Sequence, residues 1–204
     1  MPRARRKDQD EPRERARLSL DERRAQLLAL GLRLFGERSY DELSIDEIAR
    51  AAGVSKGLLY HYFPSKRDFY VEVVRSAAEQ LLGRTDPQED GPEALLLGLD
   101  AYLRFAEDHR AAYLALMHGG LGQDAEVAKV LEDTRGRFVA RLTERLGVGD
   151  PAPLLRVALR GWIGLVEAAC LDWLDRRDLS AEALRGLLAH LLLATLAATE
   201  TEIP

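Results

Sequence analysis

One cysteine, Cys170, stands in the whole chain, which excludes an intrachain disulfide and any fold stapled by disulfides. It lies in an apolar helical pattern, where a small buried side chain is expected rather than a nucleophile. The four histidines, His61, His109, His118 and His190, are too scattered for a metal cluster. There is no phosphate-binding G-x-x-x-x-G-K-[ST] loop and no G-x-G-x-x-G after a strand. No Ser/His/Asp set follows from spacing. Enzymes built on those devices are excluded, and no cofactor or metal is expected. "GGLG" at Gly119–Gly122 reads as a loop between helices. The most apolar run, "GLLAHLLLATLAA" from Gly186 to Ala198, is shorter than the about 20 residues a membrane-spanning helix needs, so no membrane partner is expected. The start, "MPRARRKDQDEPRERAR", is basic but lacks the apolar stretch of a secretory signal. The expected compartment is the cytoplasm.

A net positive charge is also missing: the chain carries −5 at pH 7. The distribution says more than the sum. Through Arg75 there are 16 Lys and Arg against 13 Asp and Glu, a balance of +3. The remainder holds 13 against 21, a balance of −8. A mildly basic head therefore precedes an acidic body, and the head is the part suited to nucleic acid. β-branched runs are scarce, and neither strand alternation nor an internal repeat is present. Ala, Leu, Arg and Glu dominate, which predicts an all-α protein.

What the sequence does have is a series of helix starts and stops. Ser19 and Glu22 stand at capping-box spacing before the apolar stripe Leu27, Leu28, Leu30, Leu34 and Phe35. In "LSIDEIARAAGVSKGLLYHYFPSKRDFY", Leu43 to Tyr70, Ser44 and Glu47 repeat the box, with Leu43 and Ile48 as its hydrophobic staple. Gly53 supplies a left-handed stop. Ser55 caps a short third helix that Pro64 ends, and Ser65 caps a fourth. After the break "GRTDPQEDGP", further helices are predicted from Pro92 to about His109, Arg110 to His118, Asp124 to Leu146, Pro151 to Arg177, and after Ser180 to about Thr199. Asp150 and Pro151 are expected to open the penultimate one.

Two helices joined by a tight glycine turn make a helix-turn-helix, whose second helix enters the major groove of DNA. On a helical wheel Leu59 and Phe63 face inward, toward Ile48 and Ala49. Gly57, Leu58 and His61 face outward, with Tyr60 and Tyr62 on the flanks. Outward residues meet base edges, flanking phenols reach phosphates, and a glycine admits close backbone approach.

Residues from about Ala25 to Val74 resemble the DNA-binding domain of the TetR (tetracycline-repressor-like) family of bacterial transcription regulators. The most specific piece is "GVSKGLLYHYFPSK", which meets every fixed position of the family pattern G-V-[ST]-x-[GP]-x-[LIV]-Y-x-[HY]-F-x-[ST]-K. The resemblance implies phosphate-binding caps at Ser44 and Ser55, base or near-base readers at Lys56, Gly57 and His61, and phosphate anchors at Tyr60, Tyr62 and Lys66. Leu58 stands where polar residues read bases, and a leucine there makes only apolar contact, for instance with a thymine methyl. The resemblance further implies a homodimer through the last two helices, a pseudo-palindromic double-stranded DNA operator, and a small-molecule effector that releases the repressor. An activator, or a helical binding protein without DNA binding, would share the fold. Candidate walls of an effector pocket are Tyr102, Phe105, Tyr113, Met117, His118, Trp162 and Glu167, since aromatic residues with a few polar groups suit small apolar ligands. The expected organisation is a disordered basic arm over 1–17, a helix-turn-helix domain over 18–83, and a helical effector and dimerisation domain over 84–204.

Overall fold

The computed structural model describes residues 19–86, 92–118 and 124–200. The basic arm and the "GGLG" loop expected from the sequence lie outside the described residues, as does the side chain of His118. Among the described residues the chain forms helices and no strands. They are α1 (Leu20–Glu37), α2 (Ile45–Ala51), α3 (Lys56–Tyr62), α4 (Lys66–Arg84), α5 (Pro92–Asp108), α6 (Arg110–His118), α7 (Ala125–Arg145), α8 (Pro153–Arg176) and α9 (Ala181–Glu200).

The starts follow local chemistry. Ser19 and Ser44 each close a full capping box with the glutamate three residues on. Ser55, Ser65 and Asp124 each accept hydrogen bonds from backbone N–H groups in the first turn of their helices. Two boundaries differ from the sequence reading. Helix α4 passes through the exposed Gly83 to Arg84, with Leu82 and Thr85 buried on either side of the pair, rather than stopping at the glycine. Helix α8 opens at Pro153, not at Asp150–Pro151; its N-cap Ala152 makes no side-chain hydrogen bond, and proline at the first helical position supplies a preset φ instead.

The helices bury two apolar cores. The first gathers Leu27, Phe35, Ile48, Leu59, Phe63 and Phe69 from α1 to α4. Val127 and Val130 from the start of α7 belong to it as well, although more than fifty residues separate them from α4's first turn. The second core holds Tyr102, Leu103, Trp162, Cys170, Leu188 and their neighbours from α5 to α9. Helices α1 and α6 cross closely between head and body. A Cβ on Gly36 would sit 2.9 Å from the backbone nitrogen of Ala112, so that crossing needs glycine. Helix α9 corrects a sequence expectation. Its stretch Ala181–Thr199 is long and apolar enough, by length and composition, to cross a membrane. Leu184, Leu188 and Leu192 nevertheless pack into the second core, while Leu187 and Leu193 are exposed.

Candidate nucleic-acid interface

The turn between α2 and α3 is a Schellman motif. Val54 N–H donates to Ala49 O at 3.0 Å and Gly53 N–H to Arg50 O at 3.1 Å. Gly53 carries the left-handed φ of +63° that this geometry requires. The tight turn, with Leu59 and Phe63 at 0% and 1% exposure in the first core beside Ile48 and Ala49, fixes which way α3 faces. The inward pair predicted by the wheel is the inward pair observed.

The opposite face of α3 is bare. Leu58 is 38% and Tyr60 40% exposed, and His61 is exposed beside them. A Cβ on Gly57 would meet nothing within 4 Å, so no packing demand explains a glycine there. Ser55 Oγ accepts from Leu58 N–H at 3.1 Å and, among the described residues, donates its own proton to nothing. Tyr62 differs: it is half-buried, packed on the first core with its ring 5.7 Å from His61 and 6.2 Å from Phe63.

The remaining candidates have protein partners. Ser44 Oγ accepts from Glu47 N–H at 3.2 Å and donates to Glu47 Oε2 at 2.7 Å. Arg38 and then Ser44 hold the Glu47 carboxyl down to about 2, so it stays ionised. Lys56 Nζ pairs with Asp46 at 2.9 Å on the open surface, where solvent screens the pair and a phosphate competes with it. That bond holds the Lys56 ammonium above its ordinary range. Lys66 is placed otherwise than a simple phosphate anchor. Its Nζ donates to Tyr40 O at 2.8 Å and Leu43 O at 2.9 Å, and stands 4.0 Å over the Tyr40 ring. It pins the α1–α2 connection onto α4 with two of its three N–H groups. Sequence reading missed Asp46 as the counter-charge of Lys56. It also missed Tyr40 and Leu43 as acceptors, because these contacts join separate segments.

A cavity of about 150 Å³ lies in the body between α4, α5, α6, α7 and α8. Of the candidates from sequence, Tyr102, Phe105, Tyr113, Met117, Trp162 and Glu167 line it. The Tyr102 and Tyr113 hydroxyls hydrogen-bond each other at 2.7 Å, and burial pushes both phenols up. Trp162 Nε1 donates to Leu188 O at 2.9 Å. Arg135 Nε donates to both Glu167 oxygens, at 2.9 and 3.1 Å. Burial pushes the nearby Cys170 thiol up to about 12, which makes it inert as a nucleophile. Arg141 and Arg145 also line the cavity and were not foreseen. Their spacing of four on one helix face was the available signal.

A capped helix-turn-helix with a bare recognition face, carried on an all-helical body, defines a DNA-binding regulator. The comparisons with known proteins agree. The family "Bacterial regulatory proteins, tetR family" matches residues 27–73. "Tetracyclin repressor-like, C-terminal domain" matches residues 92–195, half of the chain. A TetR-family regulator from Streptomyces coelicolor has a solved structure that superposes with a TM-score of 0.81 and 34% identity, covering 90% of this chain and 84% of that one. The transcriptional activator FasR of Mycolicibacterium smegmatis is 33% identical over 118 residues, 55% of this chain and 53% of FasR. The chain thus spans about half the length of that relative. The transcriptional repressor KstR2 of Rhodococcus jostii is 27% identical over 164 residues, 78% of this chain and 71% of KstR2. This chain belongs to the TetR family of bacterial transcription regulators; it is a DNA-binding regulator and not an enzyme.

Proposed function

We propose that the protein is a dimeric repressor that leaves its operator when an apolar small molecule fills the body cavity. Residues 18–83 would form the DNA-binding unit and 84–204 the effector and dimerisation unit, acting in the bacterial cytoplasm. The observation that carries DNA recognition is the outward face of α3, where Gly57, Leu58, Tyr60 and His61 are exposed. Gly57, Leu58 and His61 are assigned to base edges. Tyr60, Ser55 and Lys56 are assigned to phosphates, with Lys56 exchanging Asp46 for the DNA backbone. Ser44, Tyr62 and the third N–H of Lys66 lie at the margin of this surface and are assigned to phosphates too.

Dimerisation is supported by the bare apolar side of α8 and α9. Leu154, Val157 and Leu165 recur at helical spacing on α8, and Leu187 and Leu193 stand on α9, all exposed. The face suits a second copy of itself, and two copies would present two recognition helices to a pseudo-palindromic site. Coupling is supported by two helices that touch both cores. Helix α4 puts Phe69 in the head and Val74 and Leu81 in the cavity wall. Helix α7 puts Val127 in the head and Leu131 and Phe138 in the wall. Arg67 joins their starts, reaching Asp124 with two bonds of 2.7 and 2.8 Å. A ligand that favours a wider cavity would move both helices, and thereby the spacing of the recognition helices.

The relative named as an activator keeps a second reading open, in which the same DNA contact recruits rather than occludes polymerase. Selection of bound fragments from genomic DNA, followed by transcription in vitro from the selected promoter, tests both. Repression on the selected site is the expected result. Increased transcription supports the activator, and no selected fragment refutes DNA recognition by α3.

A further inference from the structure

The polar groups of the cavity wall fall into two sets. The deep set is satisfied. Tyr102 and Tyr113 bond each other at 2.7 Å. Glu167 is held through both oxygens by Arg135, which matches its charge from behind the wall. None of these demands a polar or cationic group from an occupant. The second set is Arg141 and Arg145, one turn apart on α7. Arg141 donates to Leu82 O and stands 3.7 Å from Asp86, while Arg145 stands 3.5 Å from the same carboxylate. These are longer than the 2.7 Å of the Arg67–Asp124 pair, and Arg145 has further contacts. Their side chains are 24% and 32% exposed, while the tyrosines and Trp162 are buried, so the arginines mark the mouth.

From this mouth the wall runs along α4 from Thr85 to Val74, roughly 16 Å at 1.5 Å per residue. Helix α7 runs back beside it to Leu131, and Leu116 joins Val74 at that end. The lining between is Ala77, Ala78, Leu81, Phe138 and Thr134, whose hydroxyl donates to Val130 O at 2.7 Å, without a charged group. A long apolar space with cations only at its open end selects a ligand of matching polarity.

We propose that the occupant is an anionic amphiphile. Its acid group, a carboxylate or a phosphate, sits on Arg141 and Arg145, and its apolar chain lies between α4 and α7 toward Val74 and Leu131. This rests on the reading of the cavity as the effector site and gives that effector a chemical class. The guanidiniums exchange Asp86 for the ligand's head, a charge-assisted and potentially bidentate contact. Each buried methylene of the chain adds roughly fourfold in affinity. Arg141 also holds the last turn of α4 through Leu82 O, so a ligand that draws this side chain away acts directly on α4.

Trp162 lines the cavity, so tryptophan emission of the full-length protein reads occupancy. The probes are dodecanoate, dodecyl phosphate and the uncharged methyl dodecanoate, each below its micelle concentration. At least one acid should bind about tenfold or more tightly than the ester. The two acid arms separate a carboxylate head from a phosphate head. In the double variant R141Q/R145Q the preference should vanish, with ester affinity kept within about twofold. If the double variant melts far below the wild type, R145Q alone, which leaves the Leu82 contact intact, should still lose part of the preference. An ester that binds as well as both acids overturns the proposal. So does retention of the preference in the variants, or failure of every probe to bind. An acid that binds with this preference but leaves operator affinity unchanged supports the head-group assignment and refutes release by ligand.

Discussion

The recognition face and the cavity wall use similar side chains in opposite ways. On α3, Tyr60 and His61 face solvent beside Leu58, and among the described residues their polar groups make no hydrogen bond. In the body, Tyr102, Tyr113 and Trp162 turn inward, and each polar atom is bonded to a neighbour. The difference separates two kinds of recognition. A surface whose hydrogen-bonding groups are open waits for a polar partner and reads it by contact. A cavity whose polar groups satisfy one another offers apolar volume, with the Glu167 charge matched by Arg135 and two cations, Arg141 and Arg145, at its edge.

The largest expected effect comes from breaking what joins two heads. Val157→Glu combined with Leu193→Glu places charges on the bare side of α8 and α9. Light scattering should then give the 22.8 kDa chain instead of twice that mass. Operator affinity should fall about 100-fold or more, since two linked contacts become two single ones. Ligand binding in the cavity should persist. A monomer that still holds its operator tightly refutes the dimer.

Next come the two lysines, which sharpen the contrast between an open and a satisfied group. Lys66→Met leaves the carbonyls of Tyr40 and Leu43 without their donor and should cost about 1–3 kcal/mol of folding stability in denaturant titration. Lys56→Met should leave the melting curve nearly unchanged and weaken DNA. Reversed outcomes would exchange the two roles.

Gly57→Ala should weaken operator binding by roughly tenfold, because a Cβ enters the space where backbone meets DNA. It should not lower the melting temperature, since that Cβ meets nothing in the protein and alanine favours a helix by roughly 0.5–1 kcal/mol. Equal loss of binding and stability would make the glycine a packing residue. Tyr60→Phe is gentler. Losing one exposed hydroxyl should cost about 0.5–1.5 kcal/mol per half-site on every DNA sequence alike, measured by fluorescence anisotropy. A changed operator preference at unchanged affinity would assign the hydroxyl to a base.

The smallest effect is a pH dependence at the α2 cap. Glu47 has its folded pKa lowered to about 2 from 4.5, chiefly by Arg38. A carboxyl with a depressed folded pKa stabilises fully above its unfolded pKa and loses that contribution as pH falls through the folded one. The difference in melting temperature between the wild type and Glu47→Gln should therefore be constant near neutrality and fade between about pH 4.5 and 2. A difference that persists unchanged at pH 2 would show that Glu47 supports the cap without its charge, and no difference at any pH would leave the cap to Ser44 alone.

The helix-turn-helix was legible almost residue by residue because its signals are local. The Ser44–Glu47 box, the Gly53 stop and the inward pair Leu59 and Phe63 all act within one or two turns of chain. Among the described residues, spacing at three or four suffices to place them. Aromatic and polar residues also pointed to the body, where Tyr102, Phe105, Tyr113, Met117, Trp162 and Glu167 line the cavity. The sequence could not say that Tyr102 and Tyr113 would pair or that Glu167 would be neutralised from behind by Arg135, 32 residues away.

By itself, then, the sequence determined the helices and most of their caps, though not the start of α8, and with them the outward face of α3 and the family. Each depends on neighbours three or four positions apart, and helix geometry converts that spacing directly into a shared face. Only the tertiary structure decided that Lys66 serves the fold, through carbonyls 26 and 23 residues before it. Only it set the start of α7 into the core of the DNA-binding head and stood Arg141 and Arg145 at the mouth of an apolar cavity. Those placements come from how whole helices cross and pack, and the packing depends on the shapes of distant surfaces that no local spacing encodes.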